Sequence, residues 1–231
     1  MLLTWLWIVG VTAEGMSGAL AAARERMDLF GVVMVALVTA MGGGSLRDVL
    51  LGNYPLIWVE HPQYVVMVAG AAVISVSISQ LMKYFRTLFL LLDALGLVVF
   101  SILGASTALE MELGVIIAVV GAVVTGVSGG ILRDLLCDRI PLVFRKELYA
   151  SVSILVALAY TGLLAAGVHG QVAVVSTLVG GFLLRALAIK LRWNLPVFDY
   201  DDSYVDHRQA MRRVLRKLRT RAIQDDGADE V

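Results

Sequence analysis

Two arginine–aspartate pairs lie inside long apolar stretches of this chain, and each pair follows a run of small residues. The first occurs in GGGSLRDVLLGNYP, residues 42–55, and the second in SGGILRDLLCDRIP, residues 128–141. A shift of 86 positions superimposes two glycines, the Leu-Arg-Asp string and the final proline of the two copies. Glycine weakens a helix, and charges at membrane depth are costly unless they face protein or water. The duplicated motif therefore indicates a transport pathway.

Both parts of the motif could contact a permeating ion. Carbonyls freed near glycines can replace part of a cation's hydration shell, while an aspartate favours cations and an arginine forms a barrier or gate. The alternatives are glycines that only allow close helix packing, and Arg–Asp pairs that cap helix ends or make intersubunit salt bridges. The pathway residues that we predict are Gly42, Gly43, Gly44, Ser45, Arg47, Asp48, Ser128, Gly129, Gly130, Arg133 and Asp134.

Glu14 and Asp93 are two further acidic residues inside apolar runs. They are not related by the shift of 86, because that shift takes position 14 to Phe100. An intramembrane carboxylate is a candidate functional group, and a hydrogen-bonded structural role is the alternative. Aromatic residues near the ends of the apolar runs are interpreted as interfacial anchors; they are Trp5, Trp7, Tyr54, Trp58, Tyr64, Phe144 and Tyr149.

The composition is that of an integral membrane protein. Of the 231 residues, 59% are hydrophobic and 16% are charged, and the mean hydropathy is +0.83. The formal net charge of zero gives no indication of a nucleic-acid partner, and the single Cys137 excludes an intrachain disulfide. No HExxH, P-loop, CxxC or GxSxG string is present. We therefore expect no enzyme activity, no catalytic residues, no metal site and no resident cofactor.

Seven apolar segments are long enough to cross a bilayer, which takes about 20 residues. They are residues 2–23, 29–51, 63–81, 88–109, 113–136, 147–166 and 171–190. Lys and Arg are enriched in alternate connections, so the positive-inside rule puts the N-terminus outside and the C-terminus in the cytoplasm. This predicts a multi-pass membrane protein.

The predicted fold is all-α, with two inverted three-helix repeats followed by a seventh transmembrane helix. The first repeat comprises residues 1–87, the second 88–167, and the seventh helix 168–191. Helices two and five should be kinked, or interrupted, at the glycines, since inverted repeats often bind their ligand on broken helices near the midplane. Residues 192–231 form a basic tail, which we expect to lie on the anionic cytoplasmic leaflet.

The chain combines the two motifs with two three-span repeats and the string ELYA at residues 147–150. In this combination it resembles the prokaryotic members of the trimeric intracellular cation (TRIC) channel family. The bacterial domain of that family is also labelled "glycine transporter". The resemblance covers residues 2–190. It implies a prokaryotic inner (plasma) membrane location and a homotrimer with a pore in each protomer. Each pore would be lined mainly by spans two and five, kinked at the glycines, and would pass monovalent cations with K⁺ foremost. K⁺ or Na⁺ is thus the expected permeant ion, and bound lipid is a further candidate ligand. Ser128 departs from the pattern, because it replaces the first glycine of the second motif.

Two transport functions follow from these observations, beside the alternative of a membrane assembly factor whose glycines serve helix packing only. The first is a passive K⁺-permeable channel, which needs only a continuous wet path with weak ion sites. The second is a secondary carrier for a small zwitterion such as glycine, in which an acidic residue holds the amine or a coupling ion. In the carrier, Glu14 and Asp93 would matter most.

Overall fold

The structure is a computed structural model that describes residues 2–79, 85–145 and 148–191. These residues form nine helices: α1 (Leu2–Arg24), α2 (Leu29–Leu51), α3 (Ile57–Glu60), α4 (Gln63–Ser79), α5 (Phe85–Glu110), α6 (Gly114–Leu136), α7 (Leu142–Arg145), α8 (Tyr149–Ala165) and α9 (Gly170–Leu191). The helical fold expected from the sequence is confirmed for this part of the chain. The predicted tail, residues 192–231, lies outside the described residues.

The longer helices have the length and hydropathy of membrane spans. Five of them, α1, α2, α5, α6 and α9, carry apolar stretches of 22 to 25 residues. The apolar stretches of α4 and α8 are shorter, at 16 and 17 residues. Each of the seven predicted segments therefore contains a helix, and the protein is an all-helical membrane protein. That all seven helices cross the membrane stays a prediction.

The two halves of the chain use the same packing pattern. In the first half α1 packs against α2 and α4, and α2 packs against α4; in the second half α5 packs against α6 and α8, and α6 against α8. The halves meet where α1 packs on α5 and α2 packs on α6, while α9 packs on α5 and α8. The duplication in sequence is thus accompanied by equivalent contacts.

The C-terminal turns of α2 and α6 are also alike. The backbone N–H of Asn53 donates to the carbonyl of Asp48 at 2.8 Å, and the N–H of Arg139 donates to the carbonyl of Asp134 at 2.8 Å. The shift of 86 relates these two bonds. Gly52, after α2, has a φ of 71°, a left-handed conformation that favours glycine at a helix end.

Helices α2 and α6 cross in backbone contact at a glycine from each motif. A Cβ atom at Gly43 would overlap the carbonyl oxygen of Thr125, and one at Gly129 would overlap that of Thr39. The shift of 86 takes Gly43 to Gly129 and Thr39 to Thr125, so the two contacts are equivalents of each other. The alternative role given for the glycines in the sequence analysis, close packing of helices, therefore applies at these two positions.

Both helices run without interruption through their glycines. The expected break in the helix is therefore not found, because glycine keeps its backbone hydrogen-bonding groups and the surrounding helices hold it in place. A bend at these positions stays a prediction.

A candidate ion pathway with two charge clusters

The second Arg–Asp pair belongs to a cluster buried in the helix bundle. Arg133 donates from Nη1 to Asp93 Oδ1 at 2.6 Å, and from Nε to Asp134 Oδ1 at 2.8 Å. Nη1 also donates to Ser17 Oγ at 3.2 Å, and the guanidinium carbon lies 4.7 Å from the centre of the Phe89 ring. The Arg133 side chain has no solvent exposure. This group, which we call the Arg133 cluster, therefore holds a guanidinium between two carboxylates deep in the protein.

Asp93 connects the Arg133 cluster to α8 and α9. The hydroxyl of Tyr149, at the start of α8, donates to Asp93 Oδ1 at 3.1 Å. The guanidinium carbon of Arg185, on α9, lies 4.7 Å from the centre of the Tyr149 ring. Tyr149 is 2% exposed, so its interpretation as an interfacial anchor is wrong; the hydroxyl is satisfied by a buried carboxylate instead of by lipid headgroups.

Glu14 reaches the same cluster from α1. The Ser17 hydroxyl lies 3.2 Å from Glu14 Oε2, and the Glu14 side chain lies over Gly96 of α5, where a Cβ atom would overlap it. Glu14 and Asp93 are 1% and 0% exposed. The structure therefore brings together two acidic residues that the repeat does not relate.

We expect Tyr149→Phe to destabilise the protein, because the variant loses the hydrogen bond to Asp93 and keeps the aromatic ring. A hydrogen bond to a charged group contributes about 1.5–3 kcal/mol, so the thermal unfolding temperature in detergent should fall by several degrees. Tyr160→Phe on the same helix is the matched control and should have a smaller effect. An equal effect of the two variants would contradict a role of the Tyr149 hydroxyl.

The first Arg–Asp pair forms a smaller cluster at the other end of the bundle. Arg47 donates to Asp48 Oδ1 from Nε at 2.8 Å and from Nη2 at 2.7 Å. Asn53 Nδ2 donates to the same oxygen at 2.9 Å. Arg47 is 8% exposed. It is therefore closer to water than Arg133, although the two residues are equivalent in the repeat.

The Arg47–Asp48 pair lines a cavity of about 360 Å³, large enough for several waters. The rings of Trp7 and Tyr64 contact each other in its wall, with centres 4.1 Å apart and planes inclined at 47°. Glu60, His61 and Glu110 line it as well. We call this space the outer cavity, after the predicted orientation of the chain.

The remaining motif residues do not share one surface. Gly43 and Gly129 lie at the crossing of α2 and α6, Gly42 contacts Leu132, and Gly130 lies beside the Tyr149 hydroxyl, whereas a Cβ at Gly44 would meet nothing within 4 Å. Ser45 Oγ accepts a hydrogen bond from Trp58 Nε1 at 3.0 Å, and Ser128 is half-buried. Asp134 Oδ2 accepts from the backbone N–H of Leu142 at 2.9 Å. The capping role that the sequence left open therefore applies to Asp134.

Comparison with known proteins agrees with this architecture. The family model "Glycine transporter" matches residues 4–80 and 90–165. The chain is 37% identical over 205 residues to the UPF0126 inner membrane protein YadS of Escherichia coli K12, covering 88% of this chain and 99% of that protein. It is also 37% identical to the crystallised TRIC trimeric intracellular cation channel orthologue from Rhodobacter sphaeroides, which matches at a TM-score of 0.78 and covers 80% of this chain and 96% of that one.

The chain belongs to the TRIC family. A prokaryotic TRIC channel crystallised in 0.5 M KCl is similar at 32% identity and a TM-score of 0.79, covering 84% of this chain and 99% of that one. The two stretches that the family model matches begin at residues 4 and 90. These starts differ by 86, so the TRIC repeat coincides with the internal duplication.

Three polar residues that contribute to the clusters escaped the sequence reasoning. Ser17 gave no signal, because a serine in a small-residue helix is common in membrane proteins. Asn53 follows the first motif but has no equivalent in the second, where Arg139 stands. Arg185 could have been found, since it is a charged residue inside an apolar segment. It lies in α9, beyond the part of the chain that the Glycine transporter family model matches.

Proposed function

We propose that this protein is a channel for monovalent cations, with K⁺ as the main permeating ion and a pore in each protomer of a homotrimer. The observation that carries the proposal is the pair of charge clusters on α2 and α6, on either side of the glycine crossing. Similarity to solved TRIC cation channels supports it. The seven membrane crossings, the inverted repeats and the outside position of the N-terminus are part of the same proposal.

In this proposal the outer cavity is the entrance of the pathway. The carboxylates of Glu60 and Glu110 attract cations from outside, and the walls lower the dielectric constant and strengthen this attraction. Asp48 then offers a weak site beside Arg47. A channel needs sites that ions both enter and leave easily, and a carboxylate already paired with a guanidinium satisfies that requirement.

The Arg133 cluster is the barrier in this proposal. The Arg133 side chain, held by its ion pairs to Asp93 and Asp134, fills this region and has no contact with water, so the conformation described here is closed at Arg133. Opening requires Arg133 to move away from the crossing of α2 and α6, or water to enter its surroundings. The pathway residues of the second motif would then contact the ion.

The remaining expectations concern the surroundings of the channel. We propose an inner-membrane location, as in the name of the Escherichia coli relative. The trimer follows the name of the Rhodobacter sphaeroides orthologue. Lipid headgroups and the basic tail would contact each other at the cytoplasmic leaflet.

The alternative function is a carrier of glycine or a similar zwitterion. The outer cavity favours it, because the cavity is lined by a guanidinium at Arg47 and by carboxylates at Glu60 and Glu110, which suit the two charges of an amino acid. A carrier also needs a second conformation in which the same site faces the cytoplasm.

Flux from liposomes separates the two functions. We expect purified protein to release K⁺ from loaded liposomes down its gradient. The rate should not saturate with K⁺ concentration, as the rate of a carrier would. Uptake of labelled glycine should match that of protein-free liposomes. Saturable glycine uptake without K⁺ release would overturn the channel and establish the carrier.

A further inference from the structure

Two carboxylate oxygens of the Arg133 cluster are buried without a hydrogen-bond partner. Among the described residues, Glu14 Oε1 and Asp93 Oδ2 have no such partner and no contact with water. The Nη2 group of Arg133 is buried in the same way and donates to neither oxygen. Unsatisfied buried acceptors cost free energy, so a hydrogen-bond donor at these two oxygens would stabilise the cluster.

The formal charges around this cluster do not sum to zero. Three carboxylates, those of Glu14, Asp93 and Asp134, share the site with two guanidinium groups, those of Arg133 and Arg185. With every group ionised, one negative charge remains in the apolar interior. An isolated buried charge is usually removed by binding a proton.

Other helices that pack on α1 bring no further charge to Glu14. Next to it along α1, Gly15 faces Val68 of α4 and Ala40 of α2, and Gly18 faces Thr39. The ionisable side chains of α2, Arg47 and Asp48, pair with each other at the opposite end. The groups that face Glu14 are therefore those of the cluster on α5, α6, α8 and α9, namely Asp93, Arg133, Asp134, Tyr149 and Arg185.

We propose that Glu14 and Asp93 form a binding site for one proton, held on Glu14 when the channel is closed. An alkali-metal ion would need several oxygen ligands, whereas two are free here, and the side chain of Glu14 fills the space over Gly96. A proton needs no such space. It supplies a donor to these oxygens and removes the uncompensated charge.

The proton also gives the channel a means of regulation, and this part rests on the proposed cation conduction. Loss of the proton leaves Glu14 charged in the closed bundle, where water cannot reach it. The open state, in which water enters the cluster, tolerates that charge better. A rise in pH therefore favours opening, by at most about tenfold in the open-to-closed ratio per pH unit, since one proton is linked.

Infrared difference spectroscopy tests the proton itself, without any requirement for conduction. Wild-type protein in lipid should show the carbonyl stretch of a protonated carboxylic acid at neutral pH. Glu14→Gln should lose this band, and Glu112→Gln, which changes an exposed carboxylate between α5 and α6, should keep it. Ser17→Ala removes a hydrogen bond to Glu14 and should shift the band, which keeps the test decisive if Glu14→Gln does not fold.

Recordings at several pH values test the regulation. The open probability of wild-type protein should rise with pH, and that of Glu14→Gln should stay low and constant. Absence of the infrared band in wild-type protein, or its persistence in Glu14→Gln, would overturn the proton site. An unchanged pH response in Glu14→Gln would overturn the regulation. Silent bilayers with the band present would count against the channel and leave the proton site supported.

Discussion

Gly43→Ala and Gly129→Ala should each lower the thermal stability of the purified protein markedly. The added methyl group at either position overlaps a backbone carbonyl of the facing helix, that of Thr125 or Thr39. Backbone cannot rotate away as a side chain can, so α2 and α6 must separate. Overpacking of this kind costs about 1–3 kcal/mol, and the loss of contact along the crossing adds to it. Thermal unfolding in detergent, followed by size-exclusion chromatography, measures the effect.

Gly44→Ala is the matched control for this prediction. It lies in the same glycine run and the same helix, but its added methyl group meets nothing within 4 Å. Alanine is the better helix former by up to about 1 kcal/mol, so Gly44→Ala should leave the unfolding temperature unchanged or raise it. Equal losses at Gly43 and Gly44 would contradict the crossing described here. They would indicate that glycine serves flexibility at both positions.

Arg133→Ala should have the largest effect of any single substitution in the clusters. It leaves Asp93 and Asp134 buried without their cation, and removing one partner of a buried ion pair typically costs about 3–5 kcal/mol. The yield of folded protein should fall accordingly. In the protein that does fold, the barrier is gone, so the open probability in bilayer recordings should exceed that of the wild type.

Arg47→Ala serves as the control, since Arg47 is the equivalent residue of the first motif. Its partner Asp48 keeps the hydrogen bond from Asn53 and lies next to the outer cavity, where water can solvate it. The loss of stability should therefore be smaller than for Arg133→Ala, and the closed state should persist. The opposite outcome is that Arg133→Ala folds as well as Arg47→Ala and opens no more often than the wild type. That result would contradict both the stabilising role of Arg133 and its role as the barrier.

Much of the fold could be read from the sequence because the bilayer imposes simple rules. Each apolar segment of sufficient length became a helix, and α2 was predicted with its observed bounds, 29–51. The repeat was visible because both motifs keep their glycines and charges. The α2–α6 crossing was only partly foreseeable: small residues indicate close packing, but the facing carbonyls of Thr39 and Thr125 carry no side-chain signal.

The composition of the Arg133 cluster could not be predicted in the same way. Glu14, Asp93 and Arg133 come from three helices far apart in sequence, and their meeting depends on how each helix is rotated about its own axis. Hydropathy does not determine that rotation when a helix is apolar on all sides. Tyr149 was misjudged for a related reason, since its place near a helix end suits an interfacial anchor as well as a partner for a buried carboxylate.

Single-channel recording of the purified protein in planar bilayers under a KCl gradient shows whether this chain conducts cations. We expect stepwise currents that reverse near the K⁺ equilibrium potential, and that respond to Arg133→Ala by longer openings. Folded protein that gives no unitary current, or currents that reverse near the Cl⁻ potential, would contradict the proposal that this chain conducts cations.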